Sequence, residues 1–175
     1  MKLKNILYVV NDIEKSKCFY KELFGLYVVA DFGENVILSE GLVLQEKKLW
    51  QKFIERDVSL GGNDAELYFE EYNIDRFIQK LEDSAFKIKY INKCIIHEWG
   101  QRVIRIYDPD MHIIEIGESL EYVARRLLKS NMTVDEVANK VQLPIDKVIK
   151  IAKGLEGDYS EGSNIWYVWN FNNRI

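Results

Sequence analysis

Apolar and polar positions along this chain follow two periods. Ile6-Leu7-Tyr8-Val9-Val10 is an unbroken run of β-forming residues and predicts a buried strand. Asn11-Asp12 then offers a helix N-cap. Phe19, Tyr20, Leu23 and Phe24 recur at helical spacing, and Gly25 ends the helix. Three short strands are predicted near residues 26–32, 35–39 and 42–47, with Gly33 and Gly41 marking breaks between them.

The same order then recurs. Ala65-Glu66-Leu67-Tyr68-Phe69 reads as a strand, and Ile74, Phe77, Ile78 and Leu81 form one apolar stripe on a helix. Strands follow at about 86–91, 102–107 and 112–117, the last two flanking the turn Asp108-Pro109-Asp110-Met111. Strand, helix and three strands thus occur twice, at a period of about 60 residues. One such unit buries one face of its sheet under its helix, and the other face needs a partner. The expected fold is therefore α+β: two βαβββ modules, about residues 4–47 and 64–118, with a cleft between the sheets that suits a small ligand.

Residues 48–63 connect the modules. Leu49, Trp50, Phe53 and Ile54 sit at helical spacing, and Gly61-Gly62 ends the segment, so a short helix is expected, as a packed linker or a lid. After Ser119 the pattern becomes helical again. Leu120, Val123, Ala124, Leu127 and Leu128 form a stripe; Thr133 caps a second helix through Val134, Val137, Ala138 and Val141; and Val148, Ile149 and Ala152 open a third after Leu143-Pro144. The expected domains are 1–118, a helical extension over 119–155, and an irregular tail over 156–175 whose Trp166 and Trp169 need a surface to dock on.

Composition narrows the class. The 175 residues are 47% hydrophobic and 30% charged, as in a globular protein. A net charge of −4 gives no general attraction to nucleic acid or anionic membranes, and no apolar run is long enough to span a bilayer, so a cytoplasmic protein is expected. Cys18 and Cys94 have no metal-type spacing and read as reduced, packed thiols.

Two motifs carry a family resemblance. Val10-Asn11-Asp12-Ile13-Glu14-Lys15-Ser16 with Phe19-Tyr20 and Leu23-Phe24-Gly25-Leu26 resembles the opening of the vicinal-oxygen-chelate superfamily, which includes glyoxalases, bleomycin-resistance proteins and extradiol dioxygenases. Trp99-Gly100-Gln101-Arg102, then Tyr107-Asp108-Pro109-Asp110 and His112-Ile113-Ile114-Glu115, resembles its close. The resemblance spans about residues 4–118 and implies the two-module fold. It does not imply one activity, because the fold hosts lyases, isomerases, dioxygenases and drug-sequestering proteins.

Metal-using relatives take one ligand from each of four strands. Carried over motif by motif, those places fall on Asn5, Gln45, Asp64 and Glu115. With two carboxylates, two amides and no imidazole, such a set would suit Mg²⁺ or Mn²⁺ better than Zn²⁺. Asn5 and Asp64 are short and amide oxygens bind weakly, so no cofactor is expected and a polar cleft floor is the plainer reading. If Asp64 faces the cleft, strand alternation brings Glu66 and Tyr68 with it. A five-residue turn before Ile113 would pair Arg105 with Glu115, whereas a four-residue turn would put Ile104 there. Trp99 either lines the cleft mouth or closes the core. His97 and His112 lack a nucleophile partner and read as structural or solvated, His112 pointing away from the cleft.

Thr133-Val134-Asp135-Glu136-Val137-Ala138 with Leu143-Pro144 resembles small helix-turn-helix units. Residues 118–155 hold seven lysines and arginines against five acids, a poor DNA-binding face, so DNA is not an expected partner and a packing or homodimer contact is. The expected function is metal-free binding of a small molecule in the cleft. The alternatives are a metal-dependent lyase, isomerase or dioxygenase-type enzyme with Glu115 as its catalytic group, and a ligand-responsive regulator using the C-terminal helices.

Overall fold

The computed structural model describes residues 1–157; Trp166, Trp169 and the rest of the aromatic tail lie outside the described residues. The described chain forms two compact units. The first comprises Met1–Ile95 with Val103–Gly117, and the second Ile96–Arg102 with the segment from Glu118 onward.

The first unit contains the repeat. Its first half is β1 (Ile6–Val10), α1 (Ile13–Phe24), β2 (Val28–Asp31), β3 (Asn35–Leu38) and β4 (Leu42–Glu46), followed by α2 (Lys47–Ile54). Its second half is β5 (Glu66–Glu71), α3 (Ile74–Glu82), β6 (Lys89–Ile96), β7 (Arg102–Tyr107) and β8 (Ile113–Glu118). The two sheets have the same order, β1-β4-β3-β2 and β5-β8-β7-β6. β1 runs parallel to β4, from Ile6 opposite Leu42 to Val10 opposite Glu46. A parallel pair needs a crossover, and α1 is part of it.

Local chemistry sets the boundaries. Asp12 caps α1 by accepting from the Lys15 backbone N–H at 2.9 Å, and Gly25 ends it at φ 69°. Gly41 lies between β3 and β4 at φ 79°, where a Cβ would fall 3.1 Å from the Lys4 carbonyl oxygen. α2 begins where Glu46 accepts from the Leu49 N–H at 2.7 Å, and it packs on β1 and β4 as a linker helix, though none of its residues is fully buried. β6 starts later than the apolar run at 86–91 suggests. Phe86 and Ile88 pack against the core before the strand begins, so burial of their side chains mimics a strand pattern.

One apolar cluster joins the halves. It combines Phe19, Tyr20 and Leu23 of α1 with Ile74, Phe77 and Leu81 of α3, Val10, Leu42 and Leu44 of the first sheet, and Ile104, Ile106, Ile114 and Ile116 of the second. Phe24 stacks on Phe69 at 4.3 Å, and Phe19 meets Phe86 edge-on at 5.2 Å, so α1 binds across the repeat. The shared core thus lies on the helix-bearing faces. The alternate residues Val9, Val43, Gln45, Arg105 and Glu115 are left on the opposite face. Cys18 and Cys94 are exposed, against the expectation of packed thiols: Cys18 falls on the outer side of α1, between the core-facing Ser16 and Phe19, and Cys94 on an edge strand.

The second unit consists of α4 (Leu120–Lys129), α5 (Val134–Val141) and α6 (Ile145–Gly157), with the 96–102 loop. Val123, Ala124, Leu127, Val137, Val141, Val148 and Ile151 form its core. Thr133 and Glu136 make a reciprocal capping box on α5, and Pro144 separates α5 from α6 as the sequence suggests.

Candidate functional site

β7 and β8 form the hairpin that carries the site. Asp108 organises the turn between them: its Oδ1 accepts from the backbone N–H groups of Asp110 at 2.9 Å and His112 at 2.8 Å, and Met111 takes φ 72°. The turn occupies residues 108–112, so Arg105 stands directly opposite Glu115. The five-residue alternative is the one realised.

The Arg105 guanidinium pairs with the Glu115 carboxylate, and its Nε lies 3.5 Å from Oε2 of Glu66. Glu115 is 8% exposed, while the Glu66 side chain is far more open at 41%. Burial of a lone carboxylate would be costly, and the guanidinium offsets that cost. Alternation along β5 puts Glu66 and Tyr68 on one side of the strand, with Leu67 and Phe69 turned toward the core. Tyr68 is half-exposed. Glu66, Arg105 and Glu115 therefore form one cluster, with Tyr68 next along the same strand.

The other carried-over positions lie elsewhere. Gln45 is buried at 2% exposure, but its Oε1 accepts from Asn35 Nδ2 at 2.8 Å and its Nε2 donates to the Glu34 carbonyl at 2.9 Å. Asn5 and Asp64 are exposed and lie just before β1 and β5. Among the described residues, no group of three or more His, Cys, Asp or Glu side chains is placed to hold a metal ion. The donor chemistry agrees. The best ligand, Glu115, is held by a cation that would repel a second one, and the Gln45 oxygen already accepts a hydrogen bond. The residues present do not fit a resident divalent metal.

Trp99 belongs to the second unit. It stacks on His97 at 4.3 Å and donates from Nε1 to Gln101 Oε1 at 3.0 Å. His112 stacks on Tyr8 at 4.2 Å, and its Nδ1 lies 2.8 Å from Asp108 Oδ2. That oxygen also accepts from the Tyr20 hydroxyl at 2.9 Å. Burial, then the neighbouring Asp108 carboxylate, pushes the Tyr20 hydroxyl pKa well above its usual value. This Tyr20–Asp108–His112 network braces the hairpin turn against α1 and β1. Asn11 adds to it, donating from its backbone N–H to Asp110 Oδ1 at 3.1 Å.

A second buried charge cluster escaped sequence reasoning. Glu118 is fully buried; Arg102 donates to it from its backbone N–H, Nε and Nη2, and Arg126 from Nη2 at 3.0 Å. Arg126 also donates to the Gly100 carbonyl at 2.6 Å. Burial alone would raise the Glu118 pKa, but the hydrogen bonds from Arg102 and Arg126 outweigh it and leave the carboxyl below its ordinary value. A charged residue at the end of an otherwise apolar strand was the available signal.

Fold and hairpin together define a vicinal-oxygen-chelate protein: paired βαβββ modules with a glutamate on the last strand of the second. The comparisons agree. The Glyoxalase-like domain family matches residues 3–121, and the chain belongs to that family. It is 30% identical over 132 residues to the uncharacterized protein YraH of Bacillus subtilis (strain 168), covering 69% of this chain and all of that one. A solved protein of unknown function from Agrobacterium tumefaciens str. C58 is 34% identical with a TM-score of 0.58, over 68% of this chain and 94% of that one. A glyoxalase-related enzyme from Fulvimarina pelagi shares the fold at 20% identity and a TM-score of 0.56, over 67% of this chain and 88% of that one. No helix among the described residues is long and apolar enough to cross a membrane.

Proposed function

We propose that this protein binds a small organic molecule on the sheet face that carries Glu66, Arg105 and Glu115, with the Arg105 guanidinium standing where a metal-using relative would hold its ion. The observation that carries this reading is the Arg105–Glu115 pair. A carboxylate committed to an internal guanidinium is a poor metal ligand but a good fixed hydrogen-bonding group.

The cluster also favours some ligands over others. One guanidinium faces two carboxylates, so the local balance is negative. Neutral or cationic molecules with hydrogen-bond donors suit Glu66, the more open member, better than anions do. Tyr68 adds a half-exposed aromatic surface. Glu115 acts here as a binding and positioning group.

Thermal unfolding tests the proposal. Mg²⁺, Mn²⁺, Zn²⁺ and EDTA are each expected to leave the midpoint unchanged, because only a ligand that binds the folded state raises it. A panel of small amines, amides and carboxylates is expected to shift it only with the first two classes. Stabilisation by a divalent ion that EDTA reverses and Glu115→Gln abolishes would overturn the metal-free reading.

A further inference from the structure

The sheet face that carries Glu66, Arg105 and Glu115 extends beyond that cluster. Arg105 and Tyr107 are two residues apart on β7 and turn to the same side, while the alternate residues Ile104 and Ile106 enter the core. Tyr107 stands directly opposite Ile113 on β8, as Arg105 stands opposite Glu115. The Tyr107 hydroxyl donates to Asn63 Oδ1 at 3.2 Å, which fixes the ring against the segment before β5. Lys89 comes from β6, at the other end of the order β5-β8-β7-β6 from Glu66. Its Nζ lies over the Tyr107 ring, 5.4 Å from the centre, so Lys89 shares the face with Arg105 and Glu115.

Lys89 differs from Arg105 in what holds it. Arg105 is committed to Glu115 and Glu66. The Lys89 ammonium meets the Tyr107 ring and, at 3.4 Å, the Met111 sulfur. A ring face and a thioether attract an ammonium group but bring no neutralising charge. No carboxylate among the described residues pairs with it. The face is therefore dipolar. Of these four charged groups, the acids Glu66 and Glu115 stand on β5 and β8, and the cations Arg105 and Lys89 on β7 and β6. The most open member at each pole is Glu66, 41% exposed, and Lys89, which is exposed. Half-buried Ile113 and Tyr107 lie on the strands between them. Glu66 reaches Arg105 and Lys89 reaches Tyr107, so the two open charges meet β7 at points about 7 Å apart.

We propose that the ligand of this face is a small zwitterion, its ammonium group at Glu66 and its carboxylate at Lys89, the two separated by several bonds. The inference rests on the binding reading given above and names the class of ligand. Glu66 and Glu115 repel a lone carboxylate. The same group tethered to an ammonium already held at Glu66 is delivered to Lys89 at high effective concentration. The carbon chain between the charges lies along Ile113 and Tyr107. Glu66 thus sets affinity for the amine end, and Lys89 selects molecules that also carry an acid.

The probe is γ-aminobutyrate, titrated into the full chain at low ionic strength and followed by backbone amide chemical shifts. Butylamine, γ-aminobutyramide and butyrate are the comparisons. γ-Aminobutyrate is expected to saturate about fivefold more tightly than butylamine or γ-aminobutyramide, the scale of one exposed ion pair. The amides of Glu66, Tyr107 and Lys89 are expected to shift, and butyrate is expected not to saturate. Lys89→Gln changes an exposed side chain and is expected to keep the wild-type unfolding midpoint. In that variant the ratio of the γ-aminobutyrate and γ-aminobutyramide affinities is expected to fall to about one, because the acid end has lost its partner. Equal affinities for these two molecules in the wild type, or an unchanged ratio in Lys89→Gln, would overturn the zwitterion proposal, while saturation by the amines would leave the binding reading standing. Saturation by butyrate alone, or by none of the four, would overturn both.

Discussion

Arg105 and Glu115 face one another across the β7–β8 hairpin and form an ion pair there. The pair is set by a turn: Asp108 holds the five residues 108–112 in one conformation, and that length decides which side chains meet. A guanidinium held between Glu66 and Glu115 needs no ion to neutralise the buried carboxylate. The energetic consequence is asymmetric. Removing either partner leaves a charge without compensation, whereas removing both does not.

Arg105→Met is therefore expected to destabilise the fold by about 2–4 kcal/mol, since Glu115 is left buried and unpaired. The double variant Arg105→Met/Glu115→Leu is expected to regain most of that loss while losing ligand binding. Chemical denaturation of both single variants and the double gives the coupling directly. Additive losses would show that the pair does not act as a unit.

Glu118 predicts an acid limb. Its folded pKa is below the unfolded value near 4.5, so the stabilisation is complete above that value and is lost as pH falls through the depressed folded value. Glu118→Gln is expected to lower stability at neutral pH by about 2–4 kcal/mol, because Arg102 and Arg126 lose their shared anion. The variant is also expected to show a flatter fall in stability on acidification, measured as unfolding midpoints between pH 7 and pH 3.

Tyr20 predicts the opposite limb. Its folded pKa lies well above the ordinary 10.0, so its contribution is intact below that value and disappears as the unfolded chain ionises at higher pH. Tyr20→Phe is expected to cost about 1–2 kcal/mol at neutral pH, from the lost hydrogen bond to Asp108. It is also expected to reduce the loss of stability above pH 10. An alkaline limb as steep in the variant as in the wild type would place the titrating group elsewhere.

Two glycines separate backbone strain from steric clash. Gly25→Ala meets no atom within 4 Å and pays only for φ 69°, about 1 kcal/mol. Gly41→Ala pays for φ 79° and also presses a methyl group to 3.1 Å from the Lys4 carbonyl oxygen, so the loss is expected to be larger, about 2–3 kcal/mol. Urea midpoints of the two variants rank these costs.

Much of this was legible in the chain. The apolar run at 6–10, the Asp12 and Gly25 caps, the stripe through Ile74, Phe77 and Leu81, and the repeat itself are local or periodic signals, and each produced the expected element. β6 was misplaced because Phe86, Ile88 and Tyr90 alternate like a strand while only the last of them lies in one. Gln45 and Glu115 were found only as places matched to the ligand positions of metal-using relatives; Arg105 was one of two alternatives opposite Glu115, and the Asn35 partner of Gln45 was not found. The Asn35 amide that occupies Gln45, and the two arginines that hold Glu118, come from other strands or helices.

The sequence by itself determined the two-module fold, the three C-terminal helices and the strand that carries Glu115, because period, capping and turn chemistry act over a few residues. Only the tertiary structure decided that Arg105 rather than Ile104 stands against Glu115, and that Tyr20 and His112 share Asp108. Those outcomes depend on register across a hairpin and on contacts between residues up to 88 apart in the chain, and one residue of slip would have reversed them.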